Sequence, residues 1–168
     1  VGGGTGNALA YPLATGMKKA GIEVDMIEGF RTKDLVILED EFRAGVDRLY
    51  VVTDDGSYGE KAFTTDKLKQ LIEEGNKYDQ IIAVGPPAMM KFVCKMADEY
   101  GICSVASLTA YMIDGTGMCG GCRCRIGDED KFVCVDGPEF DGALVDWDLL
   151  IKRNAYYAEQ EKEDFKHV

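Results

Sequence analysis

The sequence has few basic residues, almost no histidine and no long apolar run. It holds 19 Lys and Arg against 30 Asp and Glu, which gives a formal net charge of -11. This charge repels phosphate backbones and anionic lipid, so we expect no nucleic-acid partner and no membrane-surface partner. No apolar run approaches the length of a membrane span, and no signal peptide opens the chain. The only histidine, His167, lies in the tail and is expected to be inert.

An initiator methionine is also missing, and the chain opens on the glycine-rich stretch VGGGTG. A glycine-rich turn normally follows a strand, of which only Val1 is present. We therefore expect the sequence to begin inside a larger protein. The 168 residues, 46% of them hydrophobic, are enough for one domain with a real core, or for a domain with a small appendage.

Short apolar segments alternate with helical ones up to Leu108. The predicted strands are IEVDMIEGF, DRLYVVT, YDQIIAV and ICSVASL, and the predicted helices are residues 7–20, LVILEDEFRAG, DKLKQLIEEG and AMMKFVCKMADEYG. This alternation predicts an α/β fold with a doubly wound parallel sheet. We predict a nucleotide-binding α/β domain at residues 1–108. Residues 109–168 follow as a small Cys-rich segment with a hairpin and a C-terminal helix.

A glycine turn, Gly2 to Gly6, precedes the first helix. Glycines allow close approach of a ligand, and a helix N-terminus offers unpaired N–H groups to a phosphate. The candidate cofactor-binding residues here are Gly3, Gly4, Thr5 and Gly6. The third glycine of the dinucleotide fingerprint is missing, so an ordinary strand-to-helix turn remains an alternative.

Two further turns follow predicted strands and should meet the first at the carboxyl edge of the sheet. One carries Asp54 and Asp55, and the other carries Gly85 and Pro86. Two carboxylates at this edge would favour ribose hydroxyls and repel a 2′-phosphate, which predicts NAD(H) rather than NADP(H). Simple Asp-Gly turn chemistry is the alternative for the aspartates.

Four of the six cysteines lie within DGTGMCGGCRCRIGDEDKFVCVDG. The spacing Asp114-x4-Cys119-x2-Cys122-x11-Cys134 reproduces a plant-type [2Fe–2S] loop with aspartate in place of the first cysteine. We therefore predict these four residues as metal ligands and leave Cys124 over. The glycines between them would let backbone N–H groups wrap around bridging sulfides.

Three alternatives remain open for this segment. Zinc could use Cys119, Cys122, Cys124 and Cys134, although the spacing is unusual for a zinc ribbon. The pair Cys119 and Cys122 could be a redox dithiol, or the thiols could be unreactive. The zinc alternative implies a zinc-stabilised, non-catalytic nucleotide-binding or interaction module. The other two cysteines, Cys94 and Cys103, are expected in the core, and the whole pattern favours a reducing cytoplasm over a secreted disulfide framework.

The order of these motifs resembles the ferredoxin–NADP reductase-like electron-transfer subunits. GGGTGNALAYPLA, FRTKDLVILEDEF, VVTDDGSYGEKAFTTD, AVGPPAMMKFVC and the cysteine segment ending in CVDGPEF carry the resemblance. Similar groups include the electron-transfer subunit of dihydroorotate dehydrogenase B and the small subunit of NADH-dependent reduced ferredoxin:NADP oxidoreductase, also called a sulfide dehydrogenase subunit. Aspartate at position 114 favours the second group.

This resemblance implies an NAD(H)-dependent flavoprotein oxidoreductase subunit. It implies FAD bound mainly by an N-terminal barrel that this sequence lacks, so the chain alone should be inactive. The glycine turn would hold the pyrophosphate, Gly85 and Pro86 would lie by the nicotinamide, and Asp114, Cys119, Cys122 and Cys134 would hold the cluster. The implied partner is a larger oxidoreductase subunit of glutamate synthase-like or dihydroorotate dehydrogenase type. No side chain need act as a general acid or base.

Overall fold

The computed structural model describes residues 1–164, and strands and helices alternate from the first residues onward. The strands are β1 (Gly2–Gly3), β2 (Asp25–Phe30), β3 (Arg48–Thr53), β4 (Glu60–Lys61), β5 (Gln80–Val84), β6 (Cys103–Ser107), β7 (Arg123–Ile126), β8 (Glu129–Phe132) and β9 (Glu139–Asp141). The helices are α1 (Gly6–Lys19), α2 (Glu39–Gly45), α3 (Thr64–Glu73), α4 (Pro87–Glu99), α5 (Val133–Asp136), α6 (Trp147–Asn154) and α7 (Ala158–Asp164). His167 lies outside the described residues.

Seven strands form one sheet in the order β4-β3-β2-β1-β5-β6-β9. The first six pair in parallel, and β9 pairs antiparallel with β6. Helices α1 and α2 contribute to one buried cluster, and α3 and α4 to a second. These features confirm the predicted doubly wound parallel sheet. The strand order reverses between β1 and β5, which is where sheets of this kind bind their ligands.

The C-terminal segment completes the sheet that the first part of the chain begins. Strand β9 runs beside β6, and the ladder is extended by the Leu108 N–H, which donates to the Pro138 carbonyl at 2.9 Å. At the other end the Gly142 N–H donates to the Ser104 carbonyl, also at 2.9 Å. The sequence pattern does not indicate β9, because a three-residue strand is too short to show an alternating pattern.

Several element boundaries differ from those predicted. Helix α2 begins only at Glu39, because Leu38 adopts a left-handed conformation with φ of 62°. The predicted C-terminal helix is divided into α6 and α7. In the predicted hairpin, formed by β7 and β8, residues 127–128 form the turn. Cys134 lies on the short helix α5.

The core lies on both faces of the sheet. Phe42 is fully buried beneath α1, while Met90 and Val93 of α4 are fully buried on the opposite face. Cys94 belongs to this core as expected, whereas Cys103 is exposed, so its predicted burial is wrong. Within residues 1–164, no helix combines the length and the apolar character that a membrane crossing requires.

Candidate functional site

The glycine turn after β1 lies directly against the end of β5. A Cβ atom on Gly6 would lie 2.5 Å from the Val84 carbonyl oxygen, and one on Gly85 would lie 3.0 Å from the Gly3 nitrogen. Gly4 has a φ of 55° with open space around its Cβ position. The backbone therefore turns tightly against β5 at the N-terminus of α1, with open space beside Gly4, and a helix N-terminus is a favourable place for a phosphate.

Asn7 fixes the shape of this turn, and the sequence reading did not single it out. Its side chain is fully buried, and its Nδ2 donates to the Gly4 carbonyl at 3.0 Å. Its Oδ1 has no hydrogen-bond partner among the described residues and lies against Gly2. Thr5 precedes the helix as an exposed residue whose side chain makes no capping hydrogen bond. A polar residue directly after a glycine turn was the available signal for Asn7.

Asp54 and Asp55 lie at the same edge of the sheet but two strands away from the glycine turn. Strand β2 separates β3 from β1, so the aspartates stand roughly 10 Å along the edge. The Asp54 and Asp55 N–H groups donate to the carbonyls of Phe30 and Arg31 at 3.0 and 3.3 Å. The structure thus brings the turns after β1 and β5 into contact and places the aspartates beyond them on the same side.

The two aspartate side chains differ in what they contact. Asp55 Oδ1 accepts hydrogen bonds from the Ser57 hydroxyl at 2.7 Å and from the Ser57 N–H at 2.9 Å. These bonds lower the pKa of Asp55. Asp54 is exposed at the strand end. Asp55 therefore serves the turn, and Asp54 is the carboxylate that faces solvent beside the site.

The cysteine segment brings two of its predicted ligands together. The Cys122 and Cys134 sulfurs are 3.3 Å apart, and the Cys134 N–H lies 3.5 Å from the Cys122 sulfur. Cys122 precedes β7 and is buried, while Cys134 comes from the first turn of α5. The hairpin between them closes the eleven intervening residues into a compact unit, so two residues distant in sequence present their thiols to one place.

The other two predicted ligands are linked to each other. Asp114 Oδ2 accepts a hydrogen bond from the Cys119 N–H at 2.9 Å, and Oδ1 accepts one from the Thr116 N–H at 2.7 Å. The bond from Thr116 is the main cause of a lowered pKa for Asp114. The Cys119 sulfur in turn accepts from the Gly121 N–H at 3.4 Å. Across residues 1–164, no three metal-ligating side chains are already grouped around one point.

Cys124 is separated from this arrangement. It is buried in β7, and its thiol donates to the Lys131 carbonyl at 3.6 Å across the hairpin. Burial raises the pKa of the Cys124 thiol to about 11. Its contacts are those of a structural core residue.

The residues of the segment fit an iron–sulfur cluster. Three thiols and one carboxylate form a donor set suited to iron. Glycines also stand between the donors along the chain, and Gly115, Gly117 and Gly120 have positive φ, a backbone conformation that side chains rarely adopt. Asp114, Cys119, Cys122 and Cys134 stay the predicted ligands.

Comparison with known families agrees with this division of the chain into two kinds of site. Residues 1–95 match a family model described as the oxidoreductase NAD-binding domain, and the chain belongs to this family. Residues 109–146 match the iron–sulfur cluster binding domain of dihydroorotate dehydrogenase B. These matches confirm the two predicted cofactor classes, NAD(H) and an iron–sulfur cluster.

Similar whole proteins confirm the predicted resemblance. The dihydroorotate dehydrogenase B (NAD(+)) electron transfer subunit homolog of Thermotoga maritima is 51% identical over 96% of this chain and 57% of its own length. A probable electron transfer subunit of the same enzyme from Methanocaldococcus jannaschii is 44% identical over 84% of this chain and 54% of its own length. The chain spans little more than half the length of these relatives.

A solved structure matches almost the whole chain. It comes from work on flavin-based electron bifurcation by NADH-dependent reduced ferredoxin-NADP oxidoreductase. The two structures superpose with a TM-score of 0.88 at 48% sequence identity, covering 99% of this chain and 59% of the other.

Proposed function

We propose that the chain is the electron-transfer module of a flavin and iron–sulfur oxidoreductase. It would pass electrons between NAD(H), FAD held mainly by a segment outside this chain, and a [2Fe–2S] cluster, and so to a partner subunit. One observation carries the proposal. A glycine cradle at the reversal of the sheet and a pair of thiols 3.3 Å apart occur in one chain, in segments that match NAD-binding and iron–sulfur domains.

The first site accounts for a nucleotide. We assign the backbone of Gly3, Gly4, Thr5 and Gly6 to the pyrophosphate, because a helix N-terminus favours a bound anion. Gly85 and Pro86 enclose the other side and would border the nicotinamide. Asp54 and Asp55 would both accept hydrogen bonds from ribose hydroxyls, or Asp55 would hold the turn from which Asp54 accepts them.

The second site accounts for the cluster. When bound there, a [2Fe–2S] group supplies single-electron transfer to a chemistry that otherwise moves electrons in pairs. Cys119, Cys122 and Cys134 would donate thiolate sulfur, and Asp114 would donate a harder carboxylate oxygen, which alters the reduction potential. The chain's own contribution is to position these donors on the loop and the hairpin.

The partner we propose is a larger oxidoreductase subunit of glutamate synthase-like or dihydroorotate dehydrogenase type. Support comes from the T. maritima and M. jannaschii relatives, whose names describe electron transfer subunits. We also propose a cytoplasmic location. All six cysteines are free, which suits a reducing compartment.

Metal analysis tests this function. The chain is reconstituted anaerobically with iron and sulfide, desalted, and assayed for iron, labile sulfide and zinc. We expect about two irons and two sulfides per chain. Cys94→Ser, outside the segment, should take up as much iron and sulfide as the wild type. Cys122→Ser should lose both the iron and the sulfide. Zinc held tightly with no uptake of iron would instead support a zinc-stabilised, non-catalytic interaction module.

A further inference from the structure

Helix α6 is a rigid support that lies beside the cysteine segment. Asp146 caps it by accepting a hydrogen bond from the Leu149 N–H at 3.0 Å, and Leu150 is buried in the core. Trp147 Nε1 donates to the Gly142 carbonyl at 3.1 Å. The helix packs against α4 and β7, so it joins the nucleotide-binding sheet to the hairpin.

The C-terminal end of α6 holds the loop of residues 109–122 at both of its ends. Arg153 Nη2 donates to the Gly121 carbonyl at 3.2 Å, directly before Cys122. Asn154 Nδ2 donates to the Thr109 carbonyl at 2.8 Å. The Tyr111 hydroxyl donates to the Asn154 carbonyl at 3.0 Å. Hydrogen bonds therefore hold both ends of the loop that carries Asp114 and Cys119 to the C-terminal end of α6.

We infer that Arg153 is a positioning residue for the cluster. It holds the Cys119–Cys122 turn and makes the cluster easier to reduce. The inference rests on the proposed function. Arg153 is half-buried, and its guanidinium binds the carbonyl of the residue directly before the proposed ligand Cys122. A cluster held by three thiolates and a carboxylate is negatively charged and gains one more negative charge on taking up one electron. A fixed cation nearby favours the reduced form.

Lys152 provides a matched control. It carries the same charge on the preceding residue of α6, but it is exposed and makes no hydrogen bond to the loop within residues 1–164. Its side chain is well screened by solvent, so its charge should act weakly on the loop. Lys152→Gln and Arg153→Gln thus remove equal charges, and they differ in the contact with Gly121.

The experiment measures two quantities on chain reconstituted with iron and sulfide. The first is the midpoint potential, followed by EPR during titration with dithionite. The second is the hydrogen exchange rate of the backbone amides at residues 119–123. For Arg153→Gln we expect the reduced-to-oxidised ratio at fixed potential to fall about tenfold, which is about 59 mV for one electron. We also expect exchange at those amides to speed up about tenfold.

The control variants separate the contribution of the charge from that of the hydrogen bond to Gly121. Lys152→Gln should leave both quantities within about twofold of the wild type. Arg153→Lys should restore the potential, because the charge is kept, and restore exchange protection only in part, because the guanidinium fork is lost.

Either of two outcomes would overturn the role of Arg153. One is an Arg153→Gln protein with wild-type potential and exchange, and the other is an equal shift in Lys152→Gln. A wild-type chain that takes up no iron or sulfide would refute the proposed function itself. In that case, unchanged exchange in metal-free Arg153→Gln would refute the positioning role separately.

Discussion

Glu28 is an ionisable residue in an environment that disfavours its charged form. It lies in β2 with no solvent exposure, and neither carboxylate oxygen has a hydrogen-bond partner among the described residues. Its register partner in β1 is Gly2, against which the unpartnered Asn7 Oδ1 lies. Burial, together with nearby Glu39, raises the pKa of Glu28 to about 7. Burial without a hydrogen-bond partner thus favours the protonated carboxyl.

Glu28→Gln should change how stability depends on pH. The folded pKa of about 7 lies above the unfolded value of 4.5, so the contribution of Glu28 to stability is fully present below pH 4.5 and is lost as pH rises to 7. The variant should lose this slope and be more stable than the wild type at pH 8, by up to about 3 kcal/mol. Denaturant unfolding at several pH values measures this. The exposed Glu159→Gln should keep the wild-type slope, and a slope retained in Glu28→Gln would contradict the account.

Cys124 and Cys134 lie ten residues apart and should respond oppositely to serine. Cys134→Ser removes the thiol beside Cys122, so the reconstituted cluster should be lost. Cys124→Ser keeps a donor for the Lys131 carbonyl and leaves the four predicted ligands unchanged, so iron and sulfide content should stay at the wild-type level. Cluster loss in Cys124→Ser with retention in Cys134→Ser would reverse the ligand assignment.

At the scale of elements, helix α1 illustrates how a small residue sets a packing distance. Gly6 allows the first turn of α1 to touch the end of β5, which brings the glycine turn and Gly85 together. The same helix contains Gly16, which has open space around its Cβ position. The close contact with β5 requires glycine at position 6, whereas position 16 has room for a side chain.

Alanine at these two positions should have opposite effects. Gly6→Ala places a methyl group 2.5 Å from a backbone oxygen that cannot rotate away, so α1 must shift. The free energy of unfolding should fall by about 1–3 kcal/mol, and NADH affinity should weaken. Gly16→Ala should raise stability by about 0.5–1 kcal/mol, since alanine loses less entropy in a helix. Equal effects in denaturant unfolding would contradict the proposed close contact.

The elements that the sequence predicted well are those with a clear apolar pattern. Strands β3 and β5 are short apolar runs, and helix α4 buries apolar side chains at helical spacing. The late start of α2 depends on one left-handed residue, Leu38, which no local pattern signals. Strand β9 depends on pairing with β6, a tertiary interaction.

For the candidate site as a whole, sequence spacing indicated the chemistry but not the contacts. The interval from Asp114 to Cys134 predicted an iron–sulfur loop, and the family comparison agrees in class. Spacing could not reveal Glu28 or Arg153, because Arg153 acts through Gly121, far away in sequence, and Glu28 has no hydrogen-bond partner among the described residues. Which residues hold the cluster stays a prediction.

The whole protein should prefer NADH to NADPH. Asp54 faces solvent at the edge beyond the glycine turn, and a carboxylate there repels a 2′-phosphate. Calorimetric titration of the complete protein should give a lower Kd for NADH than for NADPH. Asp54→Asn should reduce the ratio of the two Kd values about tenfold. The exposed Asp98→Asn, on the distant end of α4, should not. Tighter binding of NADPH by the wild type would refute the assignment of this edge.

The most direct test of the electron-transfer account is the low-temperature EPR spectrum of the reconstituted chain after reduction with dithionite. The account predicts a rhombic signal that integrates to about one spin per chain, as a reduced [2Fe–2S] cluster gives. No signal from a folded chain that holds zinc would contradict it and would make the cysteine segment a structural metal site.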